Sequence, residues 1–140
     1  MAIRRSFLPI AELVLLALAG GAVAQDGRPA LREVSAIRVG NYGSPSVLLE
    51  GREKAGPIVS ELNALRGKAW RGGDTKLECY ATLIVISGKK TLATFRIRPE
   101  HIVERVGPKG VPVYSLALGP VDLPRVSKLL TEIPPPKDCS

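Results

Sequence analysis

Residues 76–105 read KLECYATLIVISGKKTLATFRIRPEHIVER, and they hold the densest apolar content of the chain beyond its first two dozen residues. Leu77, Cys79, Ala81, Leu83 and Val85 alternate with Glu78, Tyr80, Thr82, Ile84 and Ile86. Successive side chains of a strand point to opposite faces, so the first, wholly apolar set belongs to a core. The second set starts polar and turns apolar, which predicts a central strand. Residues 87–90, SGKK, form a tight turn in which Gly88 takes a positive φ without steric cost. The return strand directs Ala93, Phe95 and Ile97 inward and Thr94, Arg96 and Arg98 outward. Pro99 has no N–H to donate to a ladder, so pairing lapses there and a third strand follows over residues 102–106.

A turn at residues 107–110, GPKG, sends the chain into a strand over residues 111–118 that starts unpaired or at an edge because of Pro112. Upstream, residues 31–39 and 47–50 read as two further strands, separated by a loop of Gly, Asn, Ser and Pro. A helix opens at Gly56-Pro57, because proline suits the first helical position. Ile58, Leu62 and Leu65 then form its apolar stripe, and Gly67 ends it. A second helix is predicted with Asp122 as N-cap, Pro124 in the first turn and Val126, Leu129, Leu130 and Ile133 as its stripe. Pro134, Pro135 and Pro136 cannot continue it and run extended toward Cys139. The expected fold is α+β: an antiparallel meander sheet of about five to six strands, with two amphipathic helices packed on one face.

The first residues read differently. Arg4 and Arg5 precede an apolar run that ends in Ala22-Val23-Ala24. A basic start, an apolar middle and an A-x-A site predict a secretory signal peptide over residues 1–24. The uncharged run after Glu12 falls short of the ~20 residues a spanning helix needs. Residues 25–140 then form one domain, and loss of Arg4, Arg5 and Glu12 takes the formal charge from +7 to +6. Cys79 and Cys139, the two cysteines of an exported chain, read as a disulfide that ties the tail to the central strand. They are too far apart for a C-x-x-C redox pair.

A search for chemistry finds little. His101 is the one histidine, it lies in a polar connection, and no nucleophile elbow accompanies it. Glu78, Glu100 and Glu104 are carboxylates in the central stretch, but Glu104 beside Arg105 reads as half of a surface pair. Nothing calls for a metal or another cofactor, and no glycine-rich phosphate loop is present. Trp70, in a loop, is either a plug at the edge of the core or an interface anchor, and the plug is favoured. The feature that stands out is a basic set on and around the hairpin, Lys89, Lys90, Arg96, Arg98 and Arg105. Such residues ordinarily keep an exposed strand soluble and block edge pairing. The sharper reading is a patch for an anionic partner, either a protein or an envelope component. Nucleic acid is disfavoured, since no aromatic residues interleave with the basic ones.

The expectation is therefore a small exported, non-catalytic binding or accessory protein, with the periplasm as the preferred compartment. The alternatives are a small hydrolase working through carboxylates or His101, and a structural envelope protein with no discrete ligand.

Overall fold

The computed structural model describes residues 26–109 and 111–139, so the expected signal peptide lies outside the described residues. The described chain runs β1 (Ala36–Gly40), β2 (Val47–Glu50), α1 (Arg52–Leu65), β3 (Arg71–Gly72), β4 (Ala81–Ser87), β5 (Lys90–Arg98), β6 (His101–Val106), β7 (Val113–Ala117) and α2 (Pro124–Glu132). Among the described residues these seven strands form one sheet in the order β2-β1-β4-β5-β6-β7-β3, every pairing antiparallel. The sheet thus has seven strands rather than five or six. The additional strand is β3, two residues that pair with Ser115 and Tyr114. A two-residue strand has no periodicity to read. It also carries no apolar side chain.

The central hairpin pairs Leu83 with Phe95 and Val85 with Ala93, all of them buried. Gly88 turns it with a φ of 60°. β4 begins later than expected, at Ala81, because Cys79 adopts a φ of 53° and breaks the extended chain ahead of it. β1 begins at Ala36 rather than near Leu31. The backbone of Leu31 bonds to a side chain instead: its N–H donates to Asn63 Oδ1 at 2.8 Å, and its carbonyl accepts from Asn63 Nδ2 at 3.1 Å.

Both helices depart from the expected starts. α1 begins at Arg52, and Pro57 sits inside it rather than at its first position. Asp122 does not cap α2. The N–H groups of Arg125 and Val126 donate instead to the Glu61 carboxylate of α1, each at 2.9 Å. One carboxylate on the first helix thus satisfies two orphan donors of the second, at the end where the helix dipole favours negative charge. Asp122 holds the preceding turn, where its Oδ2 accepts from Gly119 N–H at 2.6 Å.

One hydrophobic cluster joins sheet and helices. Ile37, Val39, Leu83, Val85, Phe95 and Ile102 meet Ile58, Leu62 and Leu65 of α1 and Val126 of α2 in it. The alternation that directs Phe95 inward directs Arg96 to the opposite face, and register carries that division across the sheet.

Residues 73–80 connect β3 at one edge to β4 in the middle of the sheet, so they must pass β7, β6 and β5. They cross on the face away from the cluster, where Asp74 meets Arg96 and Arg105. This strap accounts for the burial of Val103 and Ser115 on that face. It ends at Cys79, which is bonded to Cys139 with the two Cα atoms 5.9 Å apart.

Candidate functional site

The five expected basic residues do not form one cluster. Lys89 and Lys90 stand at the hairpin tip, whereas Arg98 ends β5, roughly 26 Å away at the usual rise per strand residue. Arg96 and Arg105 share Asp74: Arg96 Nη2 reaches Oδ1, and Arg105 Nη2 reaches Oδ2 at 2.8 Å. The Arg96 guanidinium also lies 5.4 Å from the centre of the Tyr80 ring. These two arginines therefore anchor the strap, a role that the alternating pattern alone did not suggest. Arg98 Nη1 donates to the Cys79 carbonyl at 3.4 Å, and its Nε lies 3.5 Å from Glu100 Oε1.

Two further cations join this outer face. Arg38 pairs in register with Ile84 and Leu48, and Arg71 with Ser115. Both are exposed. Arg71 shares a cross-sheet row with Arg96 three strands away, about 14 Å at ordinary strand spacing. Five arginines on four strands, with Lys76 of the strap, thus outnumber the acids on this side, Asp74, Glu78, Glu100 and Glu50, which leaves the face positive. Arg71 follows the loop residue Trp70, and only its pairing through β3 brings it here.

The carboxylates expected as acid–base candidates are not assembled. Glu104 is fully buried rather than exposed. It pairs in register with Phe95 and Tyr114 on the core side and accepts from Arg28 Nη1 at 2.5 Å and from Arg66 Nε and Nη2. Arg28 in turn donates from Nε to Asp26 at 2.8 Å. Burial opposes ionisation of Asp26, but the Arg28 hydrogen bonds and charge outweigh it and hold the carboxyl below its usual range. The Arg28 guanidinium sits 4.5 Å from the Trp70 ring centre and 4.1 Å from that of Tyr114. Trp70 Nε1 donates to the Leu65 carbonyl at 2.7 Å, so the tryptophan is a half-buried plug with its polar edge satisfied. Two acids and two arginines cancel in this cluster.

A signal for Glu104 was present in the sequence. Alternation from Ile102 puts it on the core face, and a buried charge demands a partner.

Glu100 is exposed beside Arg98, Glu78 lies exposed in the strap, and half-exposed His101 pairs with Arg98 and Ala117 on the outer side. Among the described residues, no three His, Cys, Asp or Glu side chains gather as a metal-binding group.

A cavity of about 350 Å³ opens at the end of the sheet where β4 begins and β5 ends. Ala81, Ile97, Leu118, Leu123 and Leu130 form its walls, and Pro136 of the tail closes one side. Arg98 lies at this cavity and is the one ionisable side chain among the described residues lining it, since Cys79 is bonded. The tail wall is held firmly. Asn41 Nδ2 donates to the carbonyls of Leu130 and Pro134 at 2.9 and 3.0 Å, Ser44 Oγ to that of Pro135, and Lys137 N–H to that of Tyr42 at 2.8 Å. Gly43 permits this approach, because a Cβ there would lie 2.7 Å from the Lys137 carbonyl oxygen.

No protein-family model, curated protein or solved structure matches this chain.

Proposed function

We propose that the protein is a small exported, non-catalytic binding or accessory module, whose two helices cover one face of the sheet while the other meets an anionic partner. The observation that carries this reading is the outer face itself, where Arg38, Arg71, Arg96, Arg98 and Arg105 outnumber Asp74, Glu78, Glu100 and Glu50. A broad positive field over a sheet attracts an acidic protein or an anionic envelope surface and speeds encounter. The disulfide favours an oxidising compartment, the periplasm foremost. Binding is favoured over turnover because the cavity offers only an arginine, which neither gives nor takes a proton near neutrality. Glu104 is likewise enclosed by guanidinium donors.

The test uses the oxidised protein and vesicles with and without anionic lipid, together with capture from envelope extract, at low and moderate salt. Arg38→Glu with Arg71→Glu is the informative variant, because neither residue anchors the strap. Salt-sensitive binding that the double variant loses supports the proposal. Binding that is unchanged by both salt and charge reversal overturns it.

A further inference from the structure

The cavity at the end of the sheet adjoins the surface invoked above and shares Arg98 with it, but its apolar walls point to a different ligand. We propose that it binds the acyl chain of a medium-chain aliphatic carboxylate, with the carboxylate held by Arg98 at the mouth. Three observations converge on this class.

The first is size and composition. About 350 Å³ lies within the range of sites that enclose a small organic molecule, and the walls are mostly aliphatic or proline, with Asn41 and Ser127 as neutral polar groups and no aromatic ring among the described lining residues. A flexible hydrocarbon chain gains from such walls by leaving water, whereas a flat aromatic ligand finds no ring to stack on.

The second is charge. Arg98 is the one charged lining group and its present partners are weak: a carbonyl at 3.4 Å and, at 3.5 Å, the carboxylate of a largely exposed Glu100. A planar guanidinium suits a carboxylate in bidentate geometry, so an incoming acid would replace a long, solvated contact with two shorter bonds.

The third is preorganisation. The disulfide and the backbone bonds from Asn41, Ser44 and Lys137 hold the tail wall in place before any ligand arrives. Asp122 fixes the opposite wall, accepting from Gly119 N–H and pairing with Lys68 Nζ at 3.3 Å. The ligand therefore does not have to order its own site, which is where much of the cost of binding otherwise falls.

The experiment is calorimetric titration of the oxidised protein with decanoate, decanol and acetate. Decanoate is expected to bind saturably, at least about tenfold more tightly than decanol, the margin of one charge-assisted hydrogen bond. Acetate, which lacks the chain, is expected not to bind measurably. Arg98→Gln should reduce decanoate to the affinity of decanol. Ser127→Phe, at an exposed helix position that lines the cavity, should abolish both. Arg38→Glu with Arg71→Glu should leave decanoate binding intact, so failure at the outer face and failure here are distinguishable.

Equal affinity for decanoate and decanol, no saturable binding, or binding indifferent to Ser127→Phe would each overturn the proposal. Should that variant not fold, as judged by circular dichroism, amide shifts of the wild-type protein decide the matter. Decanoate must then perturb Ala81, Leu118 and Leu130, and perturbation confined elsewhere rejects the site.

Discussion

Glu104 occupies a position where β-strand logic calls for an apolar side chain, between Phe95 and Tyr114 across the sheet. Its charge is tolerated because Arg28 and Arg66 reach it from opposite ends of the first forty-odd described residues. Removing one member of a buried ion cluster strands the others in a low-dielectric interior. Glu104→Ala is therefore expected to cost roughly 3–5 kcal/mol in urea unfolding, far more than truncation of an exposed acid. Asp26 adds a pH dependence. Its folded pKa is lowered, so it contributes stability above the ordinary value of about 3.9 and loses it as pH falls through the folded pKa. Asp26→Asn should thus be less stable than wild type at neutrality, with the difference closing in acid below about pH 4. Thermal unfolding of both proteins across that range checks the sign. None of these partners was evident from local pattern. Arg28 lies in a segment without periodicity, and the long contact to Glu104 depends on how β6 is placed.

At the scale of elements, the alternation of residues 81–98 was enough to assign the hairpin and its buried face, because one face is uniformly apolar and a glycine marks the turn. The stripe of α2 was legible for the same reason, with Val126 fully buried. What escaped is non-local. β3 exists only because β7 is there to pair with it, and the cap of α2 comes from Glu61 on another helix rather than from the nearby Asp122. Glu61→Ala should cost about 1 kcal/mol, the usual value of an N-cap, when unfolding is followed with urea. It should also raise amide exchange at Arg125 and Val126 selectively. A variant that exchanges uniformly faster would mean that Glu61 supports packing rather than capping. The cavity was hidden, because it is assembled from five separate segments. Of the cationic face, Arg96, Arg98 and Arg105 were legible, whereas Arg38 and Arg71 needed the register that puts them on the same side.

For the molecule as a whole, the disulfide joins Cys79, at the end of the outer strap, to Cys139, at the end of the tail that walls the cavity. The bond closes 60 residues, a loop for which the chain-entropy model gives about 4 kcal/mol. Replacing both cysteines by serine should lower the urea midpoint accordingly, and reduction of the wild-type protein should reproduce the shift. The fold itself should persist, since the strap keeps its Asp74 anchors and the tail its bonds to Asn41 and Tyr42. The pairing of the two cysteines was legible from their number together with the reading of the chain as exported. That they would couple the two surfaces was not, because the sequence does not say on which side of the sheet residues 73–80 cross.

The same bond has a further consequence for a chain exposed to proteases. Everything from β4 to α2 lies inside the covalent ring, and β1, β2, α1 and β3 lie outside it. Lys89 at the hairpin tip and Lys76 in the strap are both exposed and both are targets for cleavage after lysine. A nick after Lys89 leaves one covalent molecule, which separates into fragments only when a denaturing gel is run with reductant. A nick after Lys76 yields two pieces on any denaturing gel, held together beforehand by non-covalent contacts alone, among them the β1–β4 and β3–β7 ladders and the core. Two cuts thirteen residues apart thus have opposite outcomes, and which one a protease makes first determines whether the clipped protein survives as a unit.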